Sequence, residues 1–131
     1  REYYHSERAT GTLMCFHKHH YHQDPLVHLG HQDITAHVDF TRVATHADRD
    51  GLTVAGYTTQ AAFLLDTGLV ELLEKERKHL TQKQIFEINQ AVKMLTFPVE
   101  MGERVKVMAL GKNIDLPLPG FGLRDMRMHL S

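Results

Sequence analysis

The sequence predicts an α/β fold of about three strands flanked by helices. Three observations predict it. Short apolar runs rich in strand formers recur at residues 12–18, 52–57 and 104–110. The segments between the later runs carry apolar stripes at helical spacing, and glycines or cap residues mark most changes from one pattern to the other.

The first run, Thr12 to Lys18, follows Gly11 and reads as a strand. From Tyr21 to Ile34 the periodicity is lost among Asp24-Pro25, Gly30 and several polar residues, which predicts a loop. Irregular segments of that length in compact domains are usually binding loops, lids or disordered, so this one is a candidate for function. Asp39 stands where a helix cap is needed. Phe40, Val43, Ala44 and Ala47 then keep i, i+3, i+4, i+7 spacing, and Gly51 closes the helix. Leu52 to Tyr57 reads as a buried strand. Thr58 or Thr59 caps the next helix, which turns Ala61, Leu64 and Leu65 to one face and breaks or bends at Gly68. Glu74 to His79 reads as a solvated helix end. Thr81 and Gln84 form a capping box ahead of Ile85, Ile88, Val92 and Leu95, a stripe that stops before Pro98. Arg104 to Leu110 alternates at first and then turns apolar, as in a covered strand, and Gly111 and Asn113 close it. The tail containing Pro117, Pro119, Gly120 and Gly122 is expected to be irregular.

Strands this apolar need neighbours, because open edges invite association. The chain begins at Arg1 without an initiator methionine. The expectation is therefore a single domain over residues 1–131, itself a fragment of a larger domain with further strands before Arg1.

Composition removes several function classes. Lys and Arg total 15 against 16 acidic residues, a net charge of -1, which leaves no field to hold a polyphosphate; nucleic acid is not an expected partner. No apolar run approaches the roughly 18 residues that cross a bilayer, so no membrane partner is expected either. One cysteine, Cys15, builds no disulfide, and inside an apolar strand it reads as an inert thiol. Neither GxGxxG nor a Walker pattern occurs, and there is no GxSxG elbow, since Ser6 and Ser131 sit at the two ends.

Histidine is the outlier: eight of 11 copies fall between His17 and His46. Short His-rich tracts bind metals, but a strand would put His17 and His19 on one face and His20 and His22 on the other. No metal site is expected on that geometry. The densest polar group is Asp24, Asp33, Thr35, His37 and Asp39. In an extended segment Asp33, Thr35 and His37 would present an acid, a hydroxyl and an imidazole together. Such a row suits a cationic or amide-bearing substrate, or ties down the loop by hydrogen bonds to backbone groups; both readings stay open.

Several blocks resemble one known family. Gly11-Thr-Leu-Met-Cys15, then His19, His22 and Asp24-Pro25, then Gln32-Asp-Ile-Thr-Ala-His-Val-Asp-Phe40, Thr58-Thr-Gln-Ala-Ala-Phe-Leu64, Ala91-Val-Lys93 and Met101-Gly-Glu103 are similar to the MidA-type S-adenosyl-L-methionine (SAM)-dependent methyltransferases. The likeness begins at Tyr3-Tyr-His5, runs through nearly the whole chain, and is weakest after Lys112. It implies the C-terminal portion of a class I, Rossmann-like methyltransferase fold, its strands being the last three of seven and the final one antiparallel. It implies SAM as cofactor, bound mainly by residues before Arg1, so that the chain alone is inactive. It also implies a protein substrate methylated on arginine, by analogy with the mitochondrial relative that acts in respiratory complex assembly, and a bacterial cytoplasmic or mitochondrial matrix setting.

In the resembled fold the loop from His19 to Asp39 follows the fifth strand at the ligand-binding edge of the sheet. Acidic residues there suit a guanidinium. Asp33 and Asp39 are the candidates to orient it and take up its charge, with His19 and His37 as candidate proton acceptors. Two readings from other classes compete: a non-catalytic His-rich metal- or protein-binding module, and a structural domain that forms a homodimer through an open sheet edge.

Overall fold

The computed structural model describes residues 11–18, 20–114 and 117–130. The chain divides into two compact units, Arg1–Phe40 and Thr41–Ser131, each with its own sheet. Mixed α/β architecture is found, as the sequence predicts, but with five short strands among the described residues in place of about three.

The first unit holds a three-stranded antiparallel sheet in the order β2-β1-β3, with β1 at Met14–His17, β2 at His20–His22 and β3 at Asp33–Thr35. Residues 21–34 are therefore not all loop: both ends of that stretch are strands. The sequence between β1 and β2 lacks the Asn-Gly or Asp-Gly signature of tight hairpins. Lys18 takes φ 47 there, the left-handed backbone that a tight hairpin requires and that a lysine seldom signals. β3 returns alongside β1, pairing Met14 with Thr35 and Phe16 with Asp33. Thr12 is buried, and its hydroxyl accepts a 3.1 Å bond from the His37 backbone N–H, tying the start of the described unit to its end. The strand expected at 12–18 thus pairs with β2 and β3, not with the two later predicted strands.

α1 (Phe40–Arg49), which belongs to the second unit from Thr41 onward, ends as expected at Gly51, whose φ is 74. Leu52 N–H bonds the Ala47 carbonyl at 2.8 Å and Gly51 N–H bonds that of Asp48 at 3.1 Å, the pair of contacts that closes a Schellman motif. β4 (Thr53–Thr59) pairs antiparallel with β5 (Lys106–Gly111), with a bulge between Val54 and Gly56. An antiparallel final strand is what the resemblance implies. Residues 55–59 are buried without interruption, so β4 is covered on both faces and forms the centre of the unit. Burial pushes the Tyr57 phenol above its ordinary pKa.

β4 passes directly into α2 (Gln60–Asp66): Thr59 is both the last strand residue and the N-cap, its hydroxyl accepting from Ala62 N–H at 3.3 Å. Gly68, at φ 89, separates α2 from α3 (Leu69–Arg77). α4 (Gln82–Thr96) carries the predicted capping box in both directions, Gln84 N–H to the Thr81 hydroxyl and Thr81 N–H to the Gln84 side chain. Among the described residues no helix is long and apolar enough to cross a membrane.

The tail is irregular, as expected, yet firmly fastened. Asp66 Oδ2 accepts from the backbone N–H groups of Gly120 (2.8 Å) and Gly122 (2.9 Å). Between them Phe121 lies over Gly56 of β4, where a Cβ would stand 2.4 Å from the ring, and meets Phe63 edge-on with centroids 5.5 Å apart. Beyond it, Arg124 Nη1 donates to both carboxylate oxygens of Glu103, each at 2.9 Å, and Met126 N–H bonds the Tyr57 carbonyl at 2.8 Å. A 3-10 turn, Arg127–Leu130, closes the described chain.

Candidate functional site

The register of the first sheet decides which of its side chains meet. Residues directly opposed across an antiparallel pair share a face. His17 opposes His20, and Cys15 opposes both His22 and Ile34. His17, His20 and His22 consequently lie on one face around the fully buried Cys15, not on two. The expected split assumed one continuous strand; the hairpin folds that strand back on itself.

The loop between β2 and β3 covers this face. His28, at φ 56, stacks its ring on His17 with centroids 4.1 Å apart and planes 12° from parallel, and stands edge-on to His22 at 6.0 Å. His17 Nδ1 lies 2.7 Å from the His31 carbonyl, which assigns the proton to Nδ1. Further bonds fix the loop: Leu26 N–H to the Asp24 carboxylate (2.9 Å) and Gln32 Nε2 to the Pro25 carbonyl (2.7 Å). A cleft of about 600 Å³ opens here, lined by His17, Lys18, Tyr21, His22 and His28 among others. His28, although exposed, is held below the usual imidazole pKa, first by desolvation and then by the neighbouring positive charges of His17, His22, Lys18 and His31. Among the described residues no three His, Cys, Asp or Glu side chains stand where they would hold a metal ion.

The opposite face carries the acid. Asp33 opposes Phe16, and Phe16 opposes Tyr21, their rings 6.0 Å apart at 56°. Asp33 and Thr35 share this face, as alternation predicts, and both are exposed. A depression of about 780 Å³ is lined by Phe16, Lys18, Gln32, Asp33, Ile34 and Thr35. A carboxylate beside an aromatic ring is chemistry that takes up a flat cation, by a forked charge-assisted bond and a ring face, while Lys18 on the rim opposes it. The aromatic pair escaped the sequence reading because Phe16 and Tyr21 become neighbours only once the hairpin register is known.

The strand ends at Thr35, so His37 does not continue the row. It is half-buried, on the segment leading to α1, and its backbone is held by Thr12. Asp39 is half-buried immediately before Phe40, the first residue of α1. His19 lies outside the described residues. No described strand runs through a glycine turn into a helix: β3 leads to α1 through Ala36, His37, Val38 and Asp39, and β4 joins α2 at Thr59. These residues therefore do not fit a nucleotide-type cofactor by themselves.

Residues 1–58 match a family model described as "Putative S-adenosyl-L-methionine-dependent methyltransferase". Two crystal structures of proteins from Burkholderia thailandensis, a native form of an uncharacterised protein and one bound to S-adenosyl-homocysteine, superpose on 98% of the chain. Their TM-scores are both 0.84, at 40% and 39% sequence identity. Over its first 58 residues the chain is similar to that methyltransferase family, and over nearly all of its length to these two structures. The chain is also 34% identical, over 110 residues and 83% of its length, to the mitochondrial protein arginine methyltransferase NDUFAF7 homolog of Drosophila melanogaster. It spans 25% of that relative and 34% and 33% of the two Burkholderia chains. Its α/β architecture is thus part of a Rossmann-like methyltransferase fold.

Proposed function

We propose that the protein carrying this chain transfers a methyl group from SAM to a protein, with an arginine guanidinium as acceptor, and that these residues serve the acceptor side. The observation that carries the reading is the 39% identical structure bound to S-adenosyl-homocysteine, the compound left when SAM has given up its methyl group. The described residues offer no glycine turn after a strand, which supports placing the cofactor's contacts in the two-thirds of the relatives' length that the chain does not span. Arginine as acceptor rests on the name of the Drosophila relative and on the chemistry of the Asp33 face. The sources of the relatives favour a bacterial cytoplasm or a mitochondrial matrix as the setting, and a respiratory complex subunit is the proposed substrate in the second.

Asp33 is the proposed anchor of the guanidinium, with the Phe16 ring against its flat side. A guanidinium nitrogen that gains a methyl group releases a proton. Asp39, His37 and His19 are the proposed groups to share in orienting the acceptor and taking that proton. The test is methyl transfer by the full-length protein to a guanidine-bearing peptide, followed with labelled SAM. Asp33→Asn is expected to lower the rate roughly 10- to 100-fold with the fold intact. Unchanged rates in both Asp33→Asn and His37→Ala would remove these residues from the mechanism.

A further inference from the structure

Helix α4 half-buries one apolar side in its own unit and carries exposed apolar side chains among charged ones on the other. Ile85, Ile88, Val92 and Leu95 form the half-buried side. At about 100° per residue the opposite side is centred on Gln90. It carries Phe86, Glu87, Lys93 and Met94, flanked by Lys83 and by Phe97 at the C-cap, and all of them are exposed. Phe86 is 63% exposed, Met94 56% and Phe97 49%.

This second side is self-complementary. Phe86 and Met94 lie equally far before and after Gln90; so do Glu87 and Lys93, and so do Lys83 and Phe97. When two copies of such a helix pack antiparallel about a two-fold axis at Gln90, each residue meets its counterpart, and each contact occurs twice. Phe86 receives the Met94 thioether, a favourable sulfur–aromatic contact. Glu87 faces Lys93, and the Lys83 ammonium comes over the Phe97 ring. A parallel arrangement would set Phe86 on Phe86 and Glu87 on Glu87 and lose the match. The Lys83–Glu87 pair within one helix, at 3.9 Å and largely exposed, is too weak to hold Glu87 back.

We propose that this face of α4 is a dimerisation surface for a second copy of the same chain, packed antiparallel across Gln90. A helix of 15 residues is about 22 Å long, which gives a contact at the small end of specific interfaces and hence a weak dimer.

Sedimentation equilibrium of the chain from about 5 to 200 μM, a span centred on a micromolar association, tests it. The unmodified chain is expected to shift from monomer to dimer across that range. Glu87→Lys and Lys93→Glu each set like charges together twice and are expected to weaken the dimer at least about tenfold. Mixing the two variants restores an opposite pair at every contact, so the mixture is expected to associate like the unmodified chain. Thermal melts at dilution check that each variant is folded. A chain monomeric at the highest concentration, variants that associate as well as the original, or a mixture no better than its parts would overturn the proposal. So would a full-length protein that stays monomeric while α4 is shielded from solvent labelling, since that assigns the face to another segment.

Discussion

The imidazole rings of His17 and His28 lie face to face, 4.1 Å apart between centroids and 12° from parallel, although the residues belong to a strand and to the loop that covers it. Two imidazoles stack comfortably only while at least one is neutral. His28 is held below its ordinary pKa first by desolvation, and then by the charges of His17, His22, Lys18 and His31, of which the stacked His17 comes first.

The sign of the pH effect follows. The native state resists protonating His28 more than the unfolded chain does, so the unfolded chain binds more protons as acidity rises. Stability is unaffected well above the ordinary midpoint of 6.5, falls as pH drops through it, and levels off below the native midpoint. Imidazole proton shifts followed by NMR are expected to place His28 below 6.5, and His17→Ala to move it upward. An unmoved His28 in that variant would refute the stacking account.

Removing the α4 cap tests the best-anchored helix start. Thr81→Ala loses the hydroxyl that accepts from Gln84 N–H and frees the Gln84 side chain from its return bond. A cost of about 1 kcal/mol is expected from urea titration, with Thr81→Ser near neutral.

The packing of the tail on β4 makes a paired prediction. Gly56→Ala puts a methyl group where the Phe121 ring already lies, 2.4 Å from its carbons, and is expected to destabilise by about 1–3 kcal/mol. In a Phe121→Ala background the same substitution is expected to cost far less. Additive effects in that cycle would mean that the ring does not sit on Gly56.

The absence of a glycine turn after any described strand bears on cofactor affinity. Titration calorimetry of residues 1–131 with SAM is expected to show no heat of binding. Micromolar affinity would put the cofactor's contacts inside the chain and undo the assignment of these residues to the acceptor side.

Local chemistry made most of the second unit legible. The cap at Thr59, the box at Thr81 and Gln84, the stop at Gly51 and the breaks at Gly68 and Pro98 are each decided within a few residues, and each stands where the sequence puts it. The first unit was less legible because its structure is decided by pairing. A Lys18 turn with positive φ carries no sequence signature, so the hairpin and the face shared by His17, His20 and His22 were hidden. The candidate acid Asp33 was readable as part of an alternating row, whereas its neighbour Phe16 arrives through a cross-strand register. Likewise the tail's composition announces irregular backbone, but nothing in it announces the Asp66 carboxylate 56 residues away.

Thr59 ends β4 and begins α2 with no residue between, and that joint has no slack. Adding or deleting one residue there would flip the alternation of the strand and turn the helix by about 100°, so the face that Ala62 buries would swing outward. The strand-to-helix junction therefore behaves as a fixed gear tooth that sets the phase of α2 against β4.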